Sequence, residues 1–285
     1  MPPVASRVLR GAALALRSAL DLFWPPVCPG CGAGLEPGQA GVLCERCEAE
    51  SPIFNGPACR RCGSPLGPFE SDQGGRCCAE CGGWNLVFTR AAAAGVYDGP
   101  LANIIKAYKY GARARGAHLA RFLAGLLISR LTSPECGLGI KEIDMICPVP
   151  LHGSRRRQRG FDHAAELARH VSRRLGIPLE LGNLVKTRAT PSQAKLTRAE
   201  RLDNIKGAFA VRRPERIKGK LVLLLDDVIT TAATTEECAR TLKAAGAREV
   251  RVAAVLRSVR GRDADAAVGW PQRQELSGLT TGSTG

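Results

Sequence analysis

Residues 221–235, LVLLLDDVITTAATT, constrain the fold of this chain more than any other stretch. An apolar run, 221–225, leads directly into the adjacent carboxylates Asp226 and Asp227. An apolar run of this length that ends in polar turn residues is typical of a parallel strand buried on both faces. Because open α/β sheets bind ligands at the carboxyl ends of their strands, the two acids would lie at a ligand site.

A turn rich in small and hydroxyl-bearing residues follows the two acids. The helical pattern behind it covers residues 235–245, and the turn itself comprises Thr230, Thr231, Ala232, Ala233 and Thr234. The free N–H groups and the positive dipole end of a helix N-terminus suit a phosphate group. Carboxylates that bind sugar hydroxyls beside a phosphate-binding turn indicate a site for a phosphorylated ribose.

Two other interpretations of the acidic strand compete with this one. A strand that ends in acids also supports magnesium in NTPases. Those proteins need a G-x-x-x-x-G-K-[ST] loop upstream of the strand, and the sequence contains none. A purely structural Asp-Asp turn is the other alternative, and the strand by itself leaves it open.

Residues 226–234 resemble the motif of the type I phosphoribosyltransferases, in which D-D-V-x-T-T-G-x-T follows a hydrophobic strand. The resemblance implies that Asp226 and Asp227 are the catalytic acids, facing the ribose hydroxyls of phosphoribosyl pyrophosphate, and that turn 230–234 holds its 5-phosphate. Ala232 stands where that motif has glycine. If the backbone there needs a positive φ, alanine costs about 1 kcal/mol or more.

The chain is strongly basic, with a formal net charge of +15. The excess of Lys and Arg is concentrated between residues 106 and 216, which favours polyanionic partners such as phosphorylated sugars, pyrophosphate or nucleic acid. The densest cluster consists of Arg155, Arg156, Arg157 and Arg159. A solvated basic face is the simpler explanation of many of the other arginines.

Two further blocks resemble the ComF family of phosphoribosyltransferase-like proteins. The family motif P-V-P-L-H-x-x-R-x-R-x-R-G-F-N-Q is matched up to Phe161, and the chain departs from it at Asp162 and His163. The block R-x-T-x-x-Q-x-x-L-x-x-x-x-R-x-x-N is matched by residues 188–204 and resembles a mobile hood that closes over the reactants. The resemblance implies that pyrophosphate and the hood involve Pro150, Leu151, His152, Arg155, Arg157, Arg159, Lys109, Gln193 and Arg201. For Lys109, a solvated side chain is the simpler alternative.

Most of the 12 cysteines lie in the N-terminal third of the chain. They form the C-x-x-C pairs Cys28/Cys31, Cys44/Cys47, Cys59/Cys62 and Cys78/Cys81, with Cys77 left over. Such pairs are typical of zinc knuckles, and a tetrahedral four-thiolate site needs two of them. We therefore predict structural zinc, one ion or two, with sequential or interleaved pairing and with Cys77 as a competitor of Cys78. Disulfides and an iron–sulfur cluster are disfavoured, because the cytosol keeps thiols reduced and cluster spacings are uneven.

The combined patterns predict an α/β fold, a mostly parallel sheet of the type I phosphoribosyltransferase kind preceded by a small cysteine-rich, zinc-ribbon-like module. The expected domains are an amphipathic helix at 1–24, a double zinc-ribbon-like module at 25–84, a phosphoribosyltransferase-like domain at 85–260 and a disordered tail at 261–285. Shorter patterns predict strands near 90–97 and 143–147, and helices near 101–110, 117–131 and 163–175.

The N-terminus superficially resembles a signal peptide, because Arg7 and Arg10 precede a run of Ala and Leu. Arg17 and Asp21 interrupt that run, so an amphipathic helix packed on the protein is favoured. No stretch of roughly 18 apolar residues occurs. We expect no membrane insertion and, by default, a cytoplasmic location.

The leading hypothesis is a protein that binds phosphoribosyl pyrophosphate with Mg²⁺ and transfers the phosphoribosyl group to an unknown acceptor. The ComF resemblance links it to natural transformation. The alternatives are a competence module that handles single-stranded DNA or binds competence proteins, and a non-catalytic sensor of phosphoribosyl pyrophosphate. With only 7 Phe, 3 Tyr and 3 Trp, the chain has few side chains on which bases could stack. The acceptor and the oligomeric state stay open.

Overall fold

The computed structural model describes residues 26–36, 41–54, 56–66, 78–111, 113–190 and 197–259. The predicted N-terminal helix, the predicted tail and Gln193 lie outside these ranges. The side chain of Arg159 also lies outside the described part of the structure.

The central sheet consists of four parallel strands. In order across the sheet they are β1 (Arg90–Val96), β6 (Glu249–Arg257), β5 (Leu221–Ile229) and β2 (Met145–Pro148). The apolar run 221–225 lies inside the sheet, with hydrogen-bonded neighbours on both sides and no residue more than 2% exposed. The residues of this run are all apolar because both faces of β5 are covered.

Helices cover the two faces of the sheet. The alternate residues Leu221, Leu223 and Leu225 face one hydrophobic core, and Val222 and Leu224 face the other. The first core is closed by α2 (Gly99–Tyr110), α3 (Arg113–Thr132) and α5 (His163–Leu175). The second core is closed mainly by α7 (Ala233–Ala244).

Smaller elements surround the carboxyl edge of the sheet and the cysteine-rich segment. They are α1 (Glu45–Ala49), α4 (Gly153–Arg159), the antiparallel strands β3 (Leu184–Lys186) and β4 (Phe209–Val211), and α6 (Arg198–Ile205). The sequence patterns predict neither α4, α6, β3, β4 nor β6. Among the described residues, no helix is both long enough and apolar enough to cross a bilayer.

The cysteine-rich segment covers the outer edge of β1. The amides of Phe54 and Ala91 donate to the carbonyls of Ala94 and Arg60, each at 2.8 Å. Val96 N donates to the carbonyl of Pro52 at 2.9 Å. An open strand edge would leave backbone groups unpaired and prone to pair with another chain. The segment is therefore joined to the sheet by backbone hydrogen bonds as well as by covalent connection.

Candidate functional site

The two carboxylates at the end of β5 have different surroundings. Asp227 is only 8% exposed, and its Oδ1 lies 2.7 Å from Nζ of Lys109. Lys109 lies in the last turn of α2, and this helix packs on the face of the sheet that carries Leu225. The resemblance predicts Lys109 near the ligand but predicts no carboxylate partner for it. Lys109 thus forms a direct ion pair with Asp227, and the solvated alternative for Lys109 is wrong.

Among the described residues, Asp226 forms no ion pair with Lys or Arg. Its Oδ1 accepts a hydrogen bond from the backbone N–H of Asp227 at 2.8 Å. Burial, followed by the charge of Asp227, raises the pKa of Asp226 to about 8, although Lys109 acts in the opposite direction. The raised pKa of Asp226 favours its protonated form before a ligand binds, whereas Asp227 pairs with the cation of Lys109.

The turn after β5, Thr230–Thr234, is called the phosphate loop below. Ala232 has φ 60° and ψ 4°, and among the described residues it is the only non-glycine residue with a positive φ. Its carbonyl accepts hydrogen bonds from Thr235 Oγ1 at 3.0 Å and from Glu236 N at 2.8 Å. Because these contacts start the helix at Ala233, α7 begins two residues before the predicted start at 235.

The phosphate loop contains a buried hydroxyl group that no described residue satisfies with a hydrogen bond. Oγ1 of Thr231 is buried and has no hydrogen-bond partner among the residues that the structure describes. A buried polar group without a partner is unusual in a folded protein and marks a position where a ligand oxygen fits. With the first N–H groups of α7 beside it, the loop offers donors suited to an anion.

Predicted pyrophosphate residues lie at the neighbouring strand end. Val149 N donates to the carbonyl of Leu225 at 2.8 Å, so the turn 150–152 starts beside the acidic end of β5. His152 begins α4, and its Nδ1 lies 2.7 Å from Ser154 Oγ. This histidine therefore has a capping role, and the helix α4 that follows carries the half-buried Arg155 and the exposed Arg157.

The hood block also reaches the phosphate loop. Nη1 of Arg201 donates to Oγ1 of Thr230 at 3.2 Å, and Nη2 of Arg155 donates to the carbonyl of Thr190 at 3.3 Å. Predicted residues from three separate blocks are thus connected by direct contacts. No described contact joins His152 or Arg157 to the carboxylates; their place near the site follows from strand order alone.

Lys186 is a candidate site residue that sequence reasoning missed. It ends β3, and its Nζ donates to Oγ1 of Thr190 at 2.8 Å. Burial, followed by the charge of Arg155, lowers the pKa of Lys186 to about 8, and Asp226 acts against this shift. The strand is too short to give a periodic pattern, and only its position two residues before Arg188 could have signalled it.

The eight predicted metal ligands form two groups. In each group all four sulfur atoms lie within 4.8 Å of one another. The groups are Cys28, Cys31, Cys44 and Cys47, called the first cluster, and Cys59, Cys62, Cys78 and Cys81, called the second cluster. The pairing is therefore sequential, and Cys78 is a member; Cys77 lies outside the described residues.

The sulfur spacing fits a tetrahedral metal. The Sγ atoms of Cys62 and Cys78 are 3.5 Å apart, and those of Cys59 and Cys81 are 3.8 Å apart. Four thiolates at about 2.3 Å from zinc would be spaced at about 3.8 Å. All described cysteines are free of disulfide bonds. Both clusters fit structural zinc with four thiolate ligands, which leaves no open position for catalysis.

Two family models match the chain. The phosphoribosyl transferase domain matches residues 162–270, and the double zinc ribbon domain matches residues 19–82. Together with the parallel sheet and the two four-cysteine clusters, these matches define the class: a phosphoribosyltransferase-type α/β protein that carries a double zinc ribbon.

Curated relatives identify the family within that class. Competence protein F of Haemophilus influenzae is 32% identical over 228 residues, which cover 79% of this chain and 94% of the relative. The DNA utilization protein YhgH of Escherichia coli K12 is 29% identical over 237 residues, 82% of this chain and 98% of the relative. The chain belongs to the competence protein F family, as the ComF resemblance predicts.

Solved structures overlap with the chain only loosely. Glutamine phosphoribosylpyrophosphate amidotransferase from B. subtilis is 18% identical, covers 59% of this chain and 43% of its own, and gives a TM-score of 0.34. An overlap of this size carries no conclusion about the site.

Proposed function

We propose that this protein binds phosphoribosyl pyrophosphate with Mg²⁺ at the carboxyl end of β5 and transfers the phosphoribosyl group to an acceptor, in support of DNA uptake or use. The observation that carries the proposal is that one strand end brings together the carboxylates Asp226 and Asp227 and the phosphate loop. In that loop the hydroxyl of Thr231 is buried without a hydrogen-bond partner in the described part of the chain. A sugar with a 5-phosphate has the matching groups.

In the proposed complex, Asp226 and Asp227 accept hydrogen bonds from the ribose hydroxyls, and the phosphate loop binds the 5-phosphate. Arg155, Arg157 and Lys186 provide positive charge for the pyrophosphate. Carboxylates and pyrophosphate oxygens are ligands that Mg²⁺ prefers, and the ion when bound would offset the charge of the leaving group.

The reaction would break the bond between the ribose C1 and pyrophosphate, which departs with the electron pair. An acceptor atom would form the new bond to C1 and lose its proton. Positive charge develops on the sugar in such a step, and cations at the pyrophosphate stabilise the negative charge that leaves. Closure of the hood block would exclude water as a competing acceptor.

Calorimetric titration with phosphoribosyl pyrophosphate and Mg²⁺ tests the binding proposal. We expect binding tighter than millimolar for the wild type and loss of binding for Asp226→Ala/Asp227→Ala. Asp144→Asn is a matched control, because Asp144 accepts a hydrogen bond from Leu221 N at 2.7 Å, at the opposite end of the same strand. Absence of binding by the zinc-loaded wild type would overturn the proposal.

Release of pyrophosphate separates a transferase from a sensor. The protein is incubated with phosphoribosyl pyrophosphate, Mg²⁺ and each candidate base in turn, and pyrophosphate is measured over time. Acceptor-dependent release that Asp226→Ala abolishes would establish transfer. Binding without release for any acceptor would favour the sensor.

A second candidate function, binding of single-stranded DNA, is favoured by one observation on the molecule and one on its relatives. Arg156 and Arg157 are exposed on α4, and the curated relatives are named for competence and DNA utilization. Arginines that neutralise phosphates bind nucleic acid without sequence preference by releasing counterions.

Fluorescence anisotropy with a labelled single-stranded oligonucleotide tests this second function. We expect affinity that falls steeply with salt and that is reduced by changing Arg155, Arg156 and Arg157 to Gln. A matched triple change of Arg212, Arg213 and Arg216, which lie away from α4 in the sequence, controls for net charge. Equal losses in both variants would indicate a general charge effect and contradict a binding surface on α4.

A further inference from the structure

Arg257 at the end of β6 is a fully buried arginine that holds the beginning of the phosphate loop. Its side chain is 0% exposed. Nη1 donates to the carbonyl of Ile229 at 3.0 Å and to the carbonyl of Thr230. It also donates to the carbonyl of Ser258 at 2.8 Å. These contacts fix the direction in which the chain leaves β5, and so the orientation of the N–H groups that follow.

The second cluster supplies the surroundings of this arginine. Nη2 of Arg257 lies 3.6 Å from Oε1 of Glu80, which stands between the cluster residues Cys78 and Cys81. The guanidinium also lies 5.4 Å from the ring centre of Trp84. Glu80 is the ionic partner of this buried charge among the described residues, and a buried charge depends strongly on the position of its partner. The orientation of Arg257 is therefore tied to the geometry of the second cluster.

Trp84 joins the second cluster to the core behind the phosphate loop. Its side chain packs both against the buried cysteines of the second cluster and against the core that contains Ala232 and Ala233. The guanidinium of Arg198, which begins the hood helix α6, lies 4.4 Å from the same ring. One aromatic ring thus contacts the cluster, the hood and the arginine that holds the loop.

A second connection reaches the first turn of α7. The carboxylate of Glu236 accepts hydrogen bonds from Val87 N at 2.9 and 3.1 Å and is 1% exposed. Val87 belongs to the short segment that leads from the second cluster into β1. Both sides of the phosphate loop are therefore anchored to residues that follow or lie within the second cluster.

We propose that Arg257 is a positioning residue through which the second cluster sets the shape of the phosphate loop, so that loss of metal from that cluster lowers the affinity for a sugar phosphate. The proposal rests on the proposed function of the loop. Metal binding fixes the turn between Cys78 and Cys81, because the thiolates occupy defined tetrahedral corners. Without the metal, Glu80 and Trp84 lose their fixed positions beside Arg257.

The first experiment compares two buried arginines on the same strand. Arg257→Gln is compared with Arg251→Gln, since Arg251 is 4% exposed and donates to the carbonyl of Leu138 at 2.7 Å, at the opposite end of β6. Calorimetry with ribose 5-phosphate, and with phosphoribosyl pyrophosphate and Mg²⁺, should show a loss of about tenfold or more for Arg257→Gln only. Circular dichroism confirms that both variants are folded. Glu80→Gln is a milder variant if Arg257→Gln unfolds, and a smaller loss in the same direction is expected.

The second experiment uses the reciprocity of coupled binding. If zinc in the second cluster raises ligand affinity, bound ligand must raise zinc affinity by the same factor. Zinc removal by a chromophoric chelator is followed with and without saturating phosphoribosyl pyrophosphate and Mg²⁺. We expect the ligand to protect the zinc of the second cluster in the wild type and in Arg251→Gln, but not in Arg257→Gln.

The outcomes separate the two proposals. If the wild type binds no ligand, the proposed function and this inference both fall. If the wild type binds, and folded Arg257→Gln binds equally well, or if ligand leaves zinc release unchanged, only this inference falls.

Discussion

The two cysteine clusters have the same ligands but different places in the molecule. Cys31 of the first cluster is exposed and Cys44 is half-buried. In the second cluster, Cys62 and Cys81 are 0% exposed and pack together with Leu66. Both clusters thus contribute to a buried core, since Cys28 and Cys47 of the first cluster are each 1% exposed, but only the first has an exposed ligand.

The clusters also support different halves of the candidate site. The first lies against α2, where Asn103 Nδ2 donates to the carbonyl of Gly30 at 2.8 Å, and α2 ends with Lys109 at the carboxylates. The second lies against Arg257, which holds the phosphate loop. Two copies of one motif thus support the carboxylate half and the phosphate-loop half of the candidate site.

The largest effect on stability should come from removing a metal ligand. We compare two variants, each of which removes one cysteine of similar exposure from one cluster. Cys44 and Cys78 are both half-buried, and each begins the second C-x-x-C pair of its cluster. We expect Cys78→Ser to lower the free energy of unfolding by at least about 3 kcal/mol, because zinc sites supply folding energy and the other three ligands of this cluster are all buried. Cys44→Ser should cost clearly less. Denaturant unfolding and zinc content per chain measure both, and equal losses would contradict the distinction.

Breaking the ion pair of Lys109 tests the carboxylate half. Lys109→Met leaves Asp227 buried without its cation, and we expect a loss of about 2 kcal/mol in unfolding free energy, reduced from the fully buried case by the partial exposure of Lys109. Lys106→Met is the matched control on the same helix. Lys106 is exposed, and its Nζ donates a long hydrogen bond of 3.4 Å to Asn103 Oδ1. A comparable loss in both variants would contradict a specific role for the pair.

Asp226, one of the two carboxylates at the end of β5, should make the stability of the fold depend on pH. The folded protein keeps the proton of Asp226 up to about pH 8, whereas the ordinary pKa is 3.8. Folding takes up a proton between these values, so this group makes stability fall as pH rises through the window. Asp226→Asn should therefore gain stability relative to the wild type by about 1 kcal/mol or more between pH 5 and pH 8. Asp203→Asn on α6 controls for the lost charge, and a pH-independent difference for Asp226→Asn would contradict the raised pKa.

The same protonation predicts how the ligand binds. If ribose hydroxyls and Mg²⁺ require ionised Asp226, the affinity for phosphoribosyl pyrophosphate rises with pH up to about 8 and is constant above. Calorimetry at pH 7 in buffers of different ionisation enthalpy should show release of up to one proton. Binding without proton release would show that Asp226 stays protonated in the complex.

The smallest effect on stability should come from Ala232→Gly in the phosphate loop. Relief of the positive φ gains about 1–2 kcal/mol, and loss of one buried methyl group costs about 0.8 kcal/mol. We expect a net gain below about 1 kcal/mol in thermal unfolding. Binding of ribose 5-phosphate shows whether the Cβ also reduces affinity for the phosphate. A loss of stability would show that the packing of this methyl group outweighs the strain.

Local patterns in the sequence predicted the parts of the site that lie within one segment. The apolar run before Asp226 predicted a buried strand, and the glycine missing at Ala232 predicted strain if φ were positive, which the value of 60° confirms. The cysteine spacing predicted metal clusters. Each of these depends on neighbours within a few residues, where chain geometry leaves few alternatives.

Contacts between distant segments escaped prediction. Arg257 ends a strand of mostly small residues that gives no distinct pattern, and Lys186 ends a strand of three residues. Glu80 lies between two cysteines and has no motif of its own. Their partners are far apart in the sequence, so no local pattern reveals them.

The sequence by itself determined the chemistry available to this protein: two acids before a turn of small and hydroxyl-bearing residues, arginines after a proline turn, and thiolates in pairs. Only the tertiary structure decided how these groups act together. Packing brought Lys109 to Asp227, raised the pKa of Asp226, and placed the second cluster beside Arg257, which contacts the phosphate loop. The reason is physical: the types of residues fix which interactions are possible, whereas burial and distance, set by the whole fold, decide their strength.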